Sequence, residues 1–254
     1  MAQRTEYSFR NRLPTMIVRN RANVIEIPVE RAGAVISASE GTVTVYRADG
    51  TAIVDEQAVT VGGTVTASYS IAAVTLPTTE SLGDRWQVSW SLILDDSRTY
   101  TFSQEAALVR NTVMCPVAES DITRVVQLAA QLVARGKTLQ TPIDDAWEYI
   151  QRRLLKTGRR PWLVLSSHDL FEATRARVLA ILYWDAFSGV GGEQYRDLAT
   201  HWDAEVEKEW AQITFTEDRN LDGLPSLEES ETAAGGSISV GGAGNRWPGG
   251  LTWL

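Results

Sequence analysis

Trp86-Gln87-Val88-Ser89-Trp90-Ser91-Leu92-Ile93-Leu94 alternates apolar and polar side chains along most of its length. On an extended strand successive side chains point to opposite faces, so Trp86, Val88, Trp90, Leu92 and Leu94 share one face and Gln87, Ser89 and Ser91 the other. Asp95-Asp96-Ser97 then reads as a turn into a second strand, Thr99-Tyr100-Thr101-Phe102. The two tryptophans are assigned to a core. An exposed aromatic platform for a ligand is the alternative, but the alternation already accounts for them.

Outward from this hairpin, helical periodicity is nearly absent as far as Cys115-Pro116, and β-branched runs dominate. Thr42-Val43-Thr44-Val45-Tyr46 and Thr51-Ala52-Ile53-Val54 flank Ala48-Asp49-Gly50, a hairpin turn in which Gly supplies the positive φ. Gly62-Gly63 breaks the next run, and Val65 to Ile71 resumes it. Strands about ten residues apart with turn signals between them predict an immunoglobulin-like β-sandwich of about seven strands.

After Pro116 the period changes. Ser120 is the expected N-cap of a helix over Asp121–Ala134, with Val125, Leu128, Ala129 and Leu132 inward and Gly136 as the stop. Thr141-Pro142 opens a second helix, its apolar stripe running from Ile143 through Ala146, Trp147 and Ile150 to Leu154. Ser167 caps a third, whose broad apolar face includes Leu170, Phe171, Thr174, Val178, Ile181, Leu182 and Trp184. A fourth begins near Gly192 and carries Tyr195, Leu198, Trp202, Val206 and Trp210, with acids on its outer side. Short connections predict a four-helix bundle. The expected organisation is a basic N-terminal arm (1–22), a β-sandwich domain (23–116), a helical domain (117–231) and a Gly-rich C-terminal arm (232–254).

The 254 residues are 44% hydrophobic and 22% charged, the make-up of a globular protein with room for two cores. No apolar run reaches the roughly 18–20 residues that cross a membrane. The opening MAQRTEYSFRNRLPT lacks the apolar stretch of a signal peptide, so a cytoplasmic origin is expected. A single cysteine, Cys115, excludes an internal disulfide and a cysteine-based zinc cage. The net charge of −8 is unevenly distributed. Residues 1–22 carry five Arg against one Glu, and residues 193–231 carry twelve acids against three bases. Such asymmetry steers subunits together, or else reflects nothing more than solvated faces.

Catalytic chemistry finds little material. His168 and His201 fall in different predicted helices, and Cys115 has no obvious base nearby. There is neither a Gly-x-Ser-x-Gly elbow nor a Gly-x-x-x-x-Gly-Lys phosphate loop. The basic cluster Arg152, Arg153, Lys156, Arg159 and Arg160 complements the dipole at a helix C-terminus, or binds an acidic neighbour. One motif stands out. Asp218-Arg219-Asn220-Leu221-Asp222-Gly223-Leu224, with Glu229 following, fits a calcium loop in which Asp218, Asn220 and Asp222, the Leu224 carbonyl and Glu229 supply the oxygens. Pro225, the lack of a second loop and the Gly-rich sequence that follows favour instead an acidic turn that ends the bundle.

The segment after that turn, Thr232 to Leu254, contains seven Gly in 23 residues and one charge, Arg246. It cannot fold by itself, because Gly loses the most backbone entropy on ordering. A flexible arm tipped with Trp247, Leu251, Trp253 and Leu254 is instead suited to reach into another subunit. Within it, Ser237-Ile238-Ser239-Val240 has the pattern of an added strand, so Ile238, Val240, Arg246, Trp247, Leu251, Trp253 and Leu254 are the candidate partner-binding residues.

The helical module, the acidic final helix running into Phe215-Thr216-Glu217-Asp218 and Asp222-Gly223, and the extended arm together resemble head-to-tail adaptor (connector) proteins of tailed bacteriophages. The likeness covers Ser120 to about Glu231, with the arm following. Asp84-Arg85-Trp86-Gln87-Val88-Ser89-Trp90 and Tyr100-Thr101-Phe102 look like the β-sandwich modules attached to phage structural proteins, an addition that minimal, wholly helical adaptors lack. The resemblance implies a non-enzymatic virion protein of the neck, assembled in the host cytoplasm. It would form a homo-oligomeric ring, typically a dodecamer, between the portal protein and the next connector or tail protein. DNA would pass through the lumen without specific binding, and Glu205, Glu207 and Glu209 would face that lumen. Alternatives are another virion connector (a stopper, tail-completion or baseplate component) or a carbohydrate-binding, adhesive β-sandwich protein.

Overall fold

The structure, a computed structural model, describes residues 7–9, 13–134, 136–218 and 230–232. The first part of the chain is all β: β1 (Tyr7–Phe9), β2 (Thr15–Val18), β3 (Asn23–Ile27), β4 (Val29–Arg31), β5 (Ala34–Val35), β6 (Glu40–Tyr46), β7 (Ala52–Ala58), β8 (Thr60–Val61), β9 (Ala67–Ile71), β10 (Gly83–Ile93) and β11 (Thr99–Val109). They form three sheets, ordered β1-β4-β5, β2-β11-β10-β6-β7 and β3-β9-β8. Every pairing is antiparallel except that of β2 with β11, which is parallel.

The alternation in β10 has the expected consequence. Trp86, Val88, Trp90, Leu92 and Leu94 are all buried, and they join Ile17, Ile25, Ile27, Val43, Ile71 and Leu108 in one apolar cluster fed by strands from all three sheets. Trp90 is fully buried between Phe102 and Val43 in the register, and its indole N–H donates to Gln104 Oε1 at 3.2 Å, so its polar atom is satisfied. Gly41 pairs with Leu92, and a Cβ there would lie 2.7 Å from the Ser91 carbonyl, so the close approach of β6 to β10 requires glycine. Residues 15–18, read from sequence as part of a basic arm, form β2 at the sheet edge. Arg19 beyond it donates to the Glu80 carbonyl at 2.8 Å.

The second part is helical: α1 (Glu119–Val125), α2 (Ala129–Leu132), α3 (Gln140–Lys156), α4 (Phe171–Val190) and α5 (Glu193–Gln212). Two short strands follow, β12 (Thr214–Thr216) and β13 (Ser230–Thr232), paired antiparallel. The single helix expected over Asp121–Ala134 is two pieces, because Val126 is extended at φ −126° and ψ 96°. Packing against α4 decides this. The break lets Ile122, Val126 and Ala129 join the cluster around Val178, Leu179 and Leu182, and leaves Val125 and Leu128 exposed rather than inward. Capping also differs. Ala118, not Ser120, holds the N-cap of α1, and Asp121 accepts the Ala118 N–H at 2.9 Å. Thr141 lies inside α3, which starts at Gln140. Ser167 makes no side-chain cap, whereas Ser166 Oγ accepts the His168 N–H ahead of α4.

Gly191-Gly192 turns α4 into α5, and Arg177 and Trp184 of α4 both donate to the Asp203 carboxylate of α5, at 2.7 and 2.8 Å. Trp184, expected inward, therefore sits at the rim of the helical core. No helix among the described residues is long and apolar enough to cross a membrane.

Truncating Trp90 to Ala removes the largest fully buried side chain of the β region and is expected to lower unfolding free energy by about 4 kcal/mol. Chemical denaturation of Trp90→Ala beside Trp90→Phe checks this, the Phe variant retaining most of the stability.

Candidate functional site

The two regions meet where α3 ends. Gly158, at φ +79°, closes α3 with a double turn in which the Arg159 N–H bonds the Leu154 carbonyl and the Gly158 N–H bonds that of Leu155. This left-handed step sets the direction of Arg159-Arg160-Pro161-Trp162. Trp162 is 9% exposed and packs with Ala107 and Val109 of β11, with Met16 and Val18 of β2 beside them. The joint is therefore apolar at its centre.

Charged side chains surround that centre. Arg159 Nη1 donates to Glu217 Oε1 at 3.0 Å, the two side chains being only 12% and 7% exposed, and the guanidinium lies 4.4 Å from the centre of the Phe215 ring. Phe215 is itself fully buried against Ile150, Leu154 and Trp210. Glu217 bridges to Val164, and the Asp218 N–H donates to the Leu163 carbonyl at 2.7 Å. The Asp218 carboxylate, 8% exposed, lies 3.5 Å from Arg110 just beyond β11. Arg160 donates to Asp84 of β10 at 2.8 Å across the joint. Further along α3, Arg153 makes a two-pronged bond to Glu207 of α5 at 2.7 and 2.6 Å and covers the Trp210 ring. Hydrogen bonding from Arg153 holds the Glu207 carboxyl below its usual range, although burial opposes it.

Three residues of the basic cluster at the end of α3, Arg153, Arg159 and Arg160, are thus cross-braces, while Arg152 pairs with Glu148 on the same helix. Glu205 and Glu207, assigned by resemblance to a lumen, are engaged by Lys208 and Arg153. A groove of about 590 Å³ runs along the joint between Pro14, Asp84, Arg85, Glu105, Arg160 and Trp162. Arg85 stands on it at φ +69°, where the β10–β11 register shifts.

Of the calcium-loop residues, Asp218 alone is described, and a cation there would have to displace Arg110. Asn220, Asp222, Leu224 and Glu229 lie outside the described residues, as do Ile238, Val240, Arg246, Trp247, Leu251, Trp253 and Leu254. Among the described residues no cluster of three or more His, Cys, Asp or Glu has the arrangement of a metal site. His168 and His201 are exposed on separate elements. Burial pushes the Cys115 thiol above its ordinary pKa, the reverse of what an activated nucleophile needs. Sequence reasoning missed Arg110 and Trp162, and it named Arg159 and Glu217 without pairing them. The available signal was Gly158 followed at once by Arg-Arg-Pro-Trp, a helix stop with a large aromatic behind it.

No protein-family model matches the chain, and no curated protein does. Among solved structures, CopC from Methylosinus trichosporium OB3b aligns with 37% of this chain and 82% of its own, at 7% identity and a TM-score of 0.26. Fibronectin(III)-like modules of Clostridium thermocellum CbhA align with 40% of this chain and 94% of theirs, at 11% identity and a TM-score of 0.23. Likeness of that degree bears on neither fold nor function.

Breaking a buried ion pair from one side leaves an uncompensated charge. Arg159→Ala or Glu217→Ala alone is therefore expected to cost about 3 kcal/mol, whereas Arg159→Met with Glu217→Leu stays near neutral. Denaturant midpoints of the three variants test this. Equal losses in the singles and the double would show that shape rather than charge holds the joint.

Proposed function

We propose that this chain is a structural protein of a tailed-bacteriophage particle, a head-to-tail adaptor whose copies form a ring between the portal protein and the next connector or tail protein. In this reading the three sheets make an immunoglobulin-like sandwich. Helices α3, α4 and α5, with the α1–α2 pair in the fourth place, make the bundle that builds the ring wall. DNA passes through the lumen without specific binding, and the particle neck, assembled in the host cytoplasm, is the site of action. A ring of twelve follows from the resemblance alone.

The observation that carries the reading is the braced exit of the chain. Glu217 and Asp218 are fixed by Arg159, Arg110 and the Leu163 carbonyl, so the sequence that follows starts from a defined point on the joint. After β13 come 22 Gly-rich residues ending in Trp247, Leu251, Trp253 and Leu254. A fixed exit point followed by Gly-rich sequence that carries aromatic anchors suits a subunit that fastens to a neighbour. The adhesive alternative drew on Trp86 and Trp90 as an exposed platform. Both are buried, at 3% and 0% exposure, so it is not carried forward.

The test is assembly. The purified chain, weighed by native mass spectrometry alone and with the portal protein of the same genome, is expected to form a ring-sized complex only in the mixture. Trp247→Ala with Trp253→Ala should weaken that complex by about tenfold or more. Full incorporation of a chain ending at Glu231 would refute the arm's role. Position and copy number in a particle reconstruction separate an adaptor from a stopper, tail-completion or baseplate component.

A further inference from the structure

Among the described residues, one edge of the five-stranded sheet is left without a partner strand over part of its length. β2 pairs with β11 only over Ala106–Val109, so the outer side of β11 from Thr99 to Ser103 faces no strand among the described residues. The register shows which groups point there. The Leu94 N–H bonds the Arg98 carbonyl, and Ile93 pairs with Thr99, so the even-numbered residues of β11 bond β10. The N–H and C=O groups of Thr99, Thr101 and Ser103 therefore project outward. Their side chains are exposed, while Tyr100 and Phe102 on the other face pack against the core and against Tyr7 and Phe9.

Such an edge is a template for another strand unless it is blunted. The other long edges are blunted. β7 bulges at Glu56, which has φ +42°, and exposes Asp55 and Glu56. β3 exposes Glu26 and runs directly into Pro28. Residues 99–103 of β11 carry no charge, no proline and no bulge.

We propose that this edge receives Ser237-Ile238-Ser239-Val240 from a second copy of the chain, adding a strand to its sheet. The match is one of pattern. Ser237 and Ser239 would lie beside Thr99, Thr101 and Ser103, and Ile238 and Val240 on the side of Tyr100 and Phe102. A copy's own edge is out of reach. β13 runs antiparallel to β12, so at Thr232 the chain heads back toward Ile213 and the helical core, away from the β region. From Thr232 to Ser239, the residue set beside Thr101, the chain spans at most about 25 Å. The open edge begins at the end of β11 remote from the joint, and Thr101 alone is about 26 Å along the strand from Val109. The donor is thus a neighbour, and each copy both gives and receives, the head-to-tail relation that generates a ring. This proposal rests on the reading of the chain as a self-assembling subunit, and it adds the contact between copies.

Engineered cysteines test it in the full chain with Cys115→Ser. One population carries Thr101→Cys and the other Ser239→Cys. Concentrated together and oxidised without any portal protein, they are expected to give a covalent heterodimer whose bridging peptide joins positions 101 and 239. Adding Ile238→Asp and Val240→Asp to the second population, outside the described fold, should cut the yield about tenfold or more, since each side chain loses its apolar contact. No heterodimer, an unchanged yield in the Asp variant, or a 101–239 bridge closing within single chains that carry both cysteines would each overturn the proposal. Portal binding is read separately. A chain that binds portal yet fails to cross-link loses only this contact, and one that cross-links yet ignores portal loses only the adaptor reading.

Discussion

Arg159 is a charge that the fold cannot leave unanswered. It lies almost wholly out of solvent between a helix end and an aromatic ring, and an isolated guanidinium there would cost several kcal/mol. Glu217 answers it, and the rest of the joint follows from that requirement. To bring Glu217 into place the chain must leave α5 as an extended segment, bury Phe215 and lay Asp218 against Leu163. To aim Arg159, α3 must stop in a left-handed turn at Gly158. One pair therefore fixes where two helices end and where the C-terminal segment departs.

Apolar and ionic contributions divide the work at this joint. Trp162 against Ala107 and Val109 supplies the non-directional adhesion between the β and helical regions. The exposed Arg160–Asp84 pair adds little energy but orients the two surfaces. The arrangement fixes the backbone at Glu217 and Asp218, where the chain leaves the helical region.

The β half was legible because its signals were local and redundant. In β10 the alternation, the hairpin turn at Asp95-Asp96-Ser97 and the β-branched neighbours all agree, and every residue assigned inward is buried. The helical half was legible as helical but not in number or detail, since five helices stand where four were expected. Val125 and Leu128 have helical spacing in sequence, yet the surface of α4 rewards a broken segment that buries Ile122, Val126 and Ala129 instead. Ser120 and Ser167 were read as caps from residue type, while the neighbouring Asp121 and Ser166 supply the bonds. The joint was the least legible part. Arg159 and Glu217 are far apart in sequence, and nothing local distinguishes a buried arginine from its four solvated-looking neighbours. Asp218, the one described residue of the calcium-loop pattern, lies beside Arg110, a neighbour that its spacing to Asn220 and Asp222 did not suggest.

The parallel pairing of β2 with β11 has a consequence for the order in which the molecule forms. Ile17 meets Leu108 in register, so one of the first strands to leave the ribosome has no partner until the last strand of the sheet has emerged. The loop closed by this pairing encloses nearly the whole β region, and closing it late is entropically steep. The α4–α5 hairpin, by contrast, makes its contacts across a two-residue turn and forms early once synthesised. Trp162 then packs against β2 and β11 together, at the same place that their pairing completes the sheet. Closure of the sheet and docking of the helices become one cooperative event, and the N-terminal strand acts as the latch for both.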